Sequence, residues 1–141
     1  MKKRIVRSLV LIALSGVVLS LAGCSLLGTT MTERIEQFID DINGQDYTAV
    51  RANLDSGASD YATAPKEFWQ AYFDETETHY SVSNINEGSS SATATISGGD
   101  WGSGTTFTFT FVESDAGLFG KDYLISRIEA RTEAGLTLIF N

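Results

Sequence analysis

Aromatic and hydroxyl side chains alternate strictly at positions 106–111, within the segment 105–112. Phe107, Phe109 and Phe111 occupy every second position, and threonines fill the positions between them. Because successive side chains of a β-strand point to opposite faces of the sheet, this segment predicts a strand with one apolar and one polar face. Sheets with one solvated face are commonly antiparallel, so we expect the chain to supply neighbouring antiparallel strands.

Four further segments have the same two-residue period. They are residues 80–85, 91–97, 123–131 and 136–140. Short stretches rich in glycine and serine separate them and predict turns. The second half of the chain is therefore expected to form a meander of four to five strands.

The segment before these strands has a helical period instead. Its apolar side chains fall at positions i, i+3, i+4 and i+7, namely Ile35, Phe38, Ile39 and Ile42. Thr32 is the expected N-cap of this helix, and Asn43-Gly44 is expected to end it in a left-handed turn.

Two shorter helices are expected next. Asp46 can cap the second helix, and Pro65, with its fixed φ angle, can open the third. The third carries four aromatic side chains: Phe68, Trp69, Tyr72 and Phe73. Helices that precede an antiparallel meander indicate the α+β class. We predict two to three N-terminal helices packed on a curved antiparallel sheet of four to five strands.

The start of the chain has the features of an export signal. A basic beginning, an apolar stretch over residues 9–22 and small residues before Cys24 are typical of a secretory signal peptide. The tetrapeptide 21–24 (LAGC) resembles the bacterial lipobox, and this resemblance implies cleavage between Gly23 and Cys24 and attachment of diacylglycerol to the Cys24 thiol. The alternatives are simple secretion and an uncleaved membrane-spanning helix, for which the apolar stretch is short.

This interpretation divides the chain into a signal peptide (1–23), a lipidated tether (24–31) and a single α+β domain (32–141). Acyl chains on Cys24 would anchor the protein to the lipid bilayer of the cell membrane or the outer membrane. The positively charged start stays cytoplasmic during insertion, so the domain is expected to face the periplasm or the exterior.

Charge and composition exclude several classes of function. The chain carries a net charge of −8, but four of its ten basic residues lie in the first seven positions, so residues 24–141 carry six basic against eighteen acidic side chains, or −12. Nucleic-acid binding needs a basic surface and is not expected. One cysteine and one histidine cannot build a disulfide or a Cys/His metal site, and we predict no metal and no cofactor.

Residues 38–50 (FIDDINGQDYTAV) combine an apolar helix, a glycine stop and the Asp-Tyr start of a second helix. This segment resembles the opening of the nuclear-transport-factor-2-like (NTF2-like, cystatin-like cone) superfamily, which includes small bacterial lipoproteins of unassigned function. The resemblance implies a bent sheet around the first helix, with a conical pocket at its open end. Enzymes of the superfamily use Asp, His or Tyr there for proton transfer and dehydration, whereas other members bind ligands or peptides or dimerise. No catalytic motif of the superfamily is matched.

His79 is the weak candidate for a catalytic residue. Histidine alone titrates near neutral pH without a special environment, so His79 is the one obvious general base. It stands at the expected junction between helices and sheet, where an exposed structural role is the simpler interpretation. Asp40 and Asp41 are adjacent on a helix and point about 100° apart, so we expect a solvated acidic face and not a proton-sharing pair.

Aromatic side chains are the candidates for ligand contacts. Trp101 lies among four glycines in one loop (residues 98–104), and Phe119 lies in a second loop. An aromatic loop tip can anchor a protein partner or a carbohydrate, and the two loops are expected to form one recognition rim. The alternative for Trp101 is that it folds back on the sheet. Trp69 and Tyr72 are the candidates for pocket lining, with core packing as their alternative.

These observations together favour a membrane-anchored binding module without enzymatic activity. Its ligand is expected to be a small apolar molecule or a protein partner. The alternatives are a pocket enzyme of the same superfamily that uses His79, and a structural envelope protein that acts as a homodimer through its sheet.

Overall fold

The computed structural model describes residues 28–74, 79–115 and 120–141. The expected signal peptide, including Gly23, lies outside these ranges, and so do Cys24 and Phe119. Within the described ranges, no helix is long and apolar enough to cross a membrane.

In the described residues, three α-helices precede the sheet, in agreement with the sequence. They are α1 (Met31–Asn43), α2 (Tyr47–Ala52) and α3 (Lys66–Gln70). Asp46 caps α2 as predicted, because its Oδ1 accepts a hydrogen bond from the Ala49 N–H at 3.0 Å. Pro65 stands at the N-cap position of α3, directly before the first helical residue.

The N-cap of α1 is Thr30, and the prediction of Thr32 is wrong. The Thr30 hydroxyl accepts from the Glu33 N–H at 3.1 Å, and the Glu33 carboxylate accepts from the Thr30 N–H at 2.9 Å. The Thr30 N–H and the Thr30 hydroxyl both donate to the Glu33 carboxylate and lower its pKa. Such a reciprocal pair needs a Glu or Gln three residues after the cap. The residue three positions after Thr32 is Ile35, which cannot form it. Thr32 instead donates from its N–H and its hydroxyl to Glu87 Oε1, at 2.7 and 2.6 Å.

The left-handed residue after α1 is Gln45, with a φ angle of 56°, and not Gly44. Gly44 keeps a right-handed conformation with a φ angle of −79°. The Gln45 N–H donates to the Ile42 carbonyl at 3.1 Å, and the Asp46 N–H donates to the Asp41 carbonyl at the same distance. These two bonds form a Schellman motif. The left-handed residue that ends the helix is therefore one position later than the glycine at which the sequence predicted it.

The described strands form one antiparallel meander in the order β1-β2-β3-β4-β5. Their bounds are Ser81–Glu87 for β1, Ser91–Ser97 for β2, Thr105–Asp115 for β3, Lys121–Thr132 for β4 and Gly135–Phe140 for β5. Register shifts interrupt three of the four pairings, and such bulges bend and twist a sheet. The predicted α+β class is confirmed.

The two faces of the sheet differ as the alternation in β3 predicts. Phe107 and Phe109 are fully buried on the inner face, and Phe38 of α1 lies edge-on to Phe109 with ring centroids 6.1 Å apart. The threonines between the phenylalanines face outward and are half-buried or exposed. The outer face also carries the large exposed hydrophobic side chains Val112, Leu136 and Leu138.

The two ends of the sheet differ in the part of α1 that lies against them. Glu87 ends β1 and accepts the bonds from Thr32, so α1 starts at this end, which we call the N-terminal end. Asn43, the last residue of α1, exchanges two 2.8 Å hydrogen bonds with the backbone of Tyr80, next to the start of β1. The opposite end, which we call the far end, therefore carries the β2–β3 loop and the β4–β5 turn.

Candidate functional site

A groove of about 510 Å³ opens at the far end of the sheet, between the β2–β3 loop and the β4–β5 turn. Asp100, Trp101 and Gly104 form its loop side. Residues 105–106 and 131–134 form its strand and turn side. Polar side chains dominate its walls, and Trp101 is the one aromatic residue among the described residues that line it.

The Trp101 side chain is held in a fixed position. Its indole N–H donates to the Tyr72 carbonyl at 2.8 Å, and its ring meets Phe107 edge-on with centroids 4.9 Å apart. Trp101 thus folds back on the sheet, which is the alternative raised for it above. The residue is nevertheless only half-buried and forms a wall of the groove.

Gly99 allows the loop to approach the core closely. Its φ angle is +51°, in the left-handed region, and a Cβ atom there would lie 2.6 Å from the Tyr80 hydroxyl. A side chain at position 99 would therefore clash with Tyr80, and glycine there lets the loop pack against this buried residue.

Asp100, Arg131 and Glu133 line the groove with charged side chains that have no hydrogen-bond or ion-pair partner among the described residues. The other described lysines and arginines contact a carboxylate, a carbonyl or an aromatic ring: Arg34, Arg51, Lys66, Lys121 and Arg127. Arg131 is thus the one cation in the described ranges that is free to bind an external group.

Three other candidate residues that the structure describes, His79, Trp69 and Tyr72, do not line the groove. His79 is exposed and lies shortly before β1. Trp69 is 1% exposed and packs in the core between Phe38 and Phe140, whose ring centroids are 5.4 and 5.7 Å away. Tyr72 is half-buried and contributes its carbonyl to the bond with the indole. The described residues contain no group of three or more His, Cys, Asp or Glu side chains arranged to hold a metal ion.

The attachment points of the two aromatic loops lie at opposite ends of β3. Phe119 itself lies outside the described residues, so the common rim expected for the two loops stays a prediction. The loop with Trp101 enters the strand at Thr105, whereas the segment with Phe119 follows it after Asp115. An eleven-residue strand separates these attachment points by roughly 33 Å. In an antiparallel meander, successive connections alternate between the two ends of the sheet, which sequence spacing does not reveal.

A polar cluster at the N-terminal end of the sheet joins α1 to β4. Arg34 Nη2 forms an ion pair with Asp122 Oδ1 at 2.6 Å, and its Nε donates to the Tyr123 carbonyl at 2.8 Å. The Arg34 Nη1 donates to Asn53 Oδ1 at 3.0 Å. Asn53 is 1% exposed and donates in turn to Asp41 Oδ2 at 2.7 Å.

The sequence analysis missed this cluster, although one signal for it was present. Arg34 stands three residues after Met31 and four before Phe38, both of which are buried on the apolar side of α1. A cation on the apolar side of a helix needs a partner of opposite charge or a hydrogen-bond acceptor when it is buried. The partners of Arg34 come from distant segments of the chain, and the spacing of residues within one helix cannot identify them.

Asp41 departs from the solvated acidic face predicted for it and Asp40. Asp40 is exposed, but Asp41 is half-buried and bonded to Asn53. Burial raises the pKa of the Asp41 carboxyl, the bond from Asn53 opposes this, and the Asp46 carboxylate adds to the increase. The folded state therefore holds this proton more tightly than the unfolded chain does.

We expect Asp41→Asn to change the pH dependence of folding. Because the folded pKa of Asp41 is raised, its ionisation lowers stability as pH rises from its unfolded value through its folded value. The variant should therefore match the natural protein in acid and exceed it near neutral pH, by less than about 1 kcal/mol because solvent screens a half-buried group. Urea unfolding across this pH range measures the difference. Asp40→Asn, which removes a neighbouring exposed charge, is the control, and an equal gain from both would contradict the assignment.

Comparisons with known proteins give one solved structure. No protein-family model matches the sequence, and no curated protein matches it. Among solved structures, the chain is similar to an NTF2-like protein of unknown function from Cytophaga hutchinsonii, at 10% sequence identity and a TM-score of 0.41. The match covers 69% of this chain and 90% of that chain.

Proposed function

We propose that this protein is a lipid-anchored, extracytoplasmic binding domain that holds a small ligand in the groove at the far end of its sheet. The observation that carries the proposal is the juxtaposition of a fixed indole wall with Arg131, the one unengaged cation of the described residues. Ligand sites characteristically combine such a preformed apolar surface with a few convergent polar groups.

The anchor half of the proposal rests on the start of the sequence. The basic beginning, the apolar stretch and the lipobox-like tetrapeptide end at Cys24, four residues before the first described residue, Gly28. The helix that follows starts at the N-terminal end of the sheet. A lipid on Cys24 would therefore hold that end near the bilayer and leave the groove pointing away from it.

Binding is favoured over catalysis by the position of the one histidine. His79 is exposed and does not line the groove. A general base must reach the bound substrate directly or through one water molecule. The groove offers carboxylates and an arginine, which serve recognition through hydrogen bonds to a ligand.

The residues that line the groove favour a different class of ligand from the one expected from the sequence. The sequence favoured a small apolar molecule, but the residues that line the groove are mainly charged or hydroxyl-bearing. A small polar ligand with one apolar face suits this surface better, because it can satisfy the polar groups that line it.

One experiment tests both halves of this proposal. The full-length protein and its Cys24→Ser variant are expressed in a bacterium that processes lipoproteins, and each is followed by membrane fractionation and by native mass spectrometry. We expect mature, membrane-bound protein that retains a small molecule, and an unprocessed variant without the mass of the lipid. Ser25→Ala is the matched control and should behave as the natural protein.

Two results would count against the proposal. Normal processing and membrane retention of Cys24→Ser would contradict the anchor. Absence of any retained molecule, or its retention by Trp101→Ala at the natural level, would contradict a ligand site in the groove.

A further inference from the structure

We infer that the groove binds a pyranose ring of an oligosaccharide. The inference rests on the proposed function and assigns a ligand class to the same site. Three features of the groove carry it: the fixed ring of Trp101, the unpaired charges of both signs, and the hydroxyl-bearing walls.

The indole ring supplies the apolar half of sugar recognition. A pyranose presents C–H groups on its flat sides, and these groups pack well on the electron-rich face of an aromatic ring. Trp101 is held by the Tyr72 carbonyl and by Phe107, so little side-chain entropy is lost when a ring stacks on it. This is the advantage of a preorganised aromatic contact.

The charged side chains supply the polar half. Every sugar hydroxyl is both a donor and an acceptor, so a sugar site is served by groups of both kinds. Arg131 can only donate, whereas Asp100 and Glu133 in their ionised forms can only accept. Because none of the three is engaged by another described side chain, no internal ion pair has to be broken when the ligand binds.

The balance of charge favours a neutral sugar over an anionic one. Two carboxylates stand against one guanidinium among the residues that line the groove. The domain as a whole is also strongly acidic, which repels anions at a distance. A neutral ring with several hydroxyls can form hydrogen bonds with all three charged groups and is not repelled by the negative charge of the domain.

The test is a titration of the folded protein with neutral oligosaccharides, followed by NMR shifts and by tryptophan fluorescence. The probes are cello-, malto-, xylo- and N-acetylglucosamine oligomers at millimolar concentrations. At least one series should bind saturably and shift the indole N–H signal of Trp101.

Two variants and one control localise the binding. Trp101→Ala should weaken the interaction at least about tenfold, and Arg131→Ala should weaken it about tenfold through loss of a charged hydrogen bond. Arg131→Ala removes no side-chain hydrogen bond or ion pair within the described residues, so it stays informative even where Trp101→Ala disturbs the packing on Phe107. The matched control is Arg127→Ala, on the same strand but paired with Glu129, which should bind as the natural protein does.

The outcomes separate this inference from the proposed function. If no oligosaccharide binds, or if binding is unchanged in both Trp101→Ala and Arg131→Ala, the carbohydrate assignment is overturned. If in addition a non-carbohydrate molecule is retained from the envelope in a Trp101-dependent manner, the proposed function stands and this inference alone fails. If neither kind of ligand is found, both fail.

Discussion

Arg34→Ala is expected to destabilise the fold by about 3 kcal/mol, because a buried ion pair loses one partner and leaves the other uncompensated. The Arg34 side chain is 9% exposed, and the substitution removes its bonds to Asp122, to Asn53 and to the Tyr123 carbonyl at once. We place the loss at the lower end of the range for buried pairs, because Asp122 is 29% exposed and water screens part of its charge. Urea unfolding followed by tryptophan fluorescence measures it.

Arg127→Ala is the matched control for this prediction. Arg127 also donates to a carboxylate, Glu129, at 2.8 Å, but its side chain is 42% exposed. Exposed ion pairs contribute little to stability because solvent screens them, so the two arginines should differ several-fold in their effects. Similar losses from both substitutions would contradict the structural role assigned to the cluster at the N-terminal end of the sheet.

Trp69→Ala is expected to lower stability by about 3–5 kcal/mol, the range for deleting a large buried aromatic side chain. Trp69 is 1% exposed, and its ring lies against Phe38 of α1 and Phe140 of β5. Its removal leaves a cavity where the helices meet the sheet. Thermal and urea unfolding measure the loss, and ligand binding at low temperature should persist because Trp69 does not line the groove.

Phe68→Ala provides the comparison for Trp69→Ala. Phe68 is the preceding residue in α3 and also packs edge-on against Trp69, but it is only partly buried. Its deletion removes less buried surface and should therefore cost less stability. A larger loss from Phe68→Ala than from Trp69→Ala would contradict the arrangement of the core described above.

The regular elements were predictable from local pattern. The alternation in residues 105–112 correctly predicted β3 and its two faces, and the spacing of Ile35, Phe38 and Ile42 predicted α1 and its buried side. Both patterns reflect the burial of one face of an element, which a single sequence records directly. The N-terminal end of α1 was harder to predict, because both Thr30 and Thr32 can act as an N-cap. Thr30 is the cap because Glu33 lies three residues after it and completes the reciprocal pair of hydrogen bonds.

The candidate site was predictable only in part. Trp101 stood out as an aromatic residue among glycines, and it does line the groove. Arg131 and Glu133 did not stand out, because they are ordinary charged residues about thirty positions further along the chain. They line the same groove as Trp101 because β4 pairs with β3 in antiparallel fashion, so the last residues of β4 lie beside the first residues of β3. Pairing between strands that are distant in sequence leaves no pattern in the local sequence.

We propose that the lipid anchor and the groove lie at opposite ends of the domain. The chain enters α1 beside Glu87, whereas the groove lies at the other end of strands that span roughly 33 Å. A lipid on Cys24 would therefore present the groove to ligands beyond the membrane surface.

Energy transfer from single fluorescent labels to acceptors in a vesicle membrane tests this claim most directly. The sequence has one cysteine, so once Cys24 is acylated an introduced cysteine is the only free thiol. Lipidated Ser89→Cys carries its label in the β1–β2 turn at the N-terminal end, and lipidated Ala134→Cys carries it beside the groove. The account predicts strong transfer from position 89 and weak transfer from position 134. Equal transfer from both positions, or stronger transfer from position 134, would contradict it.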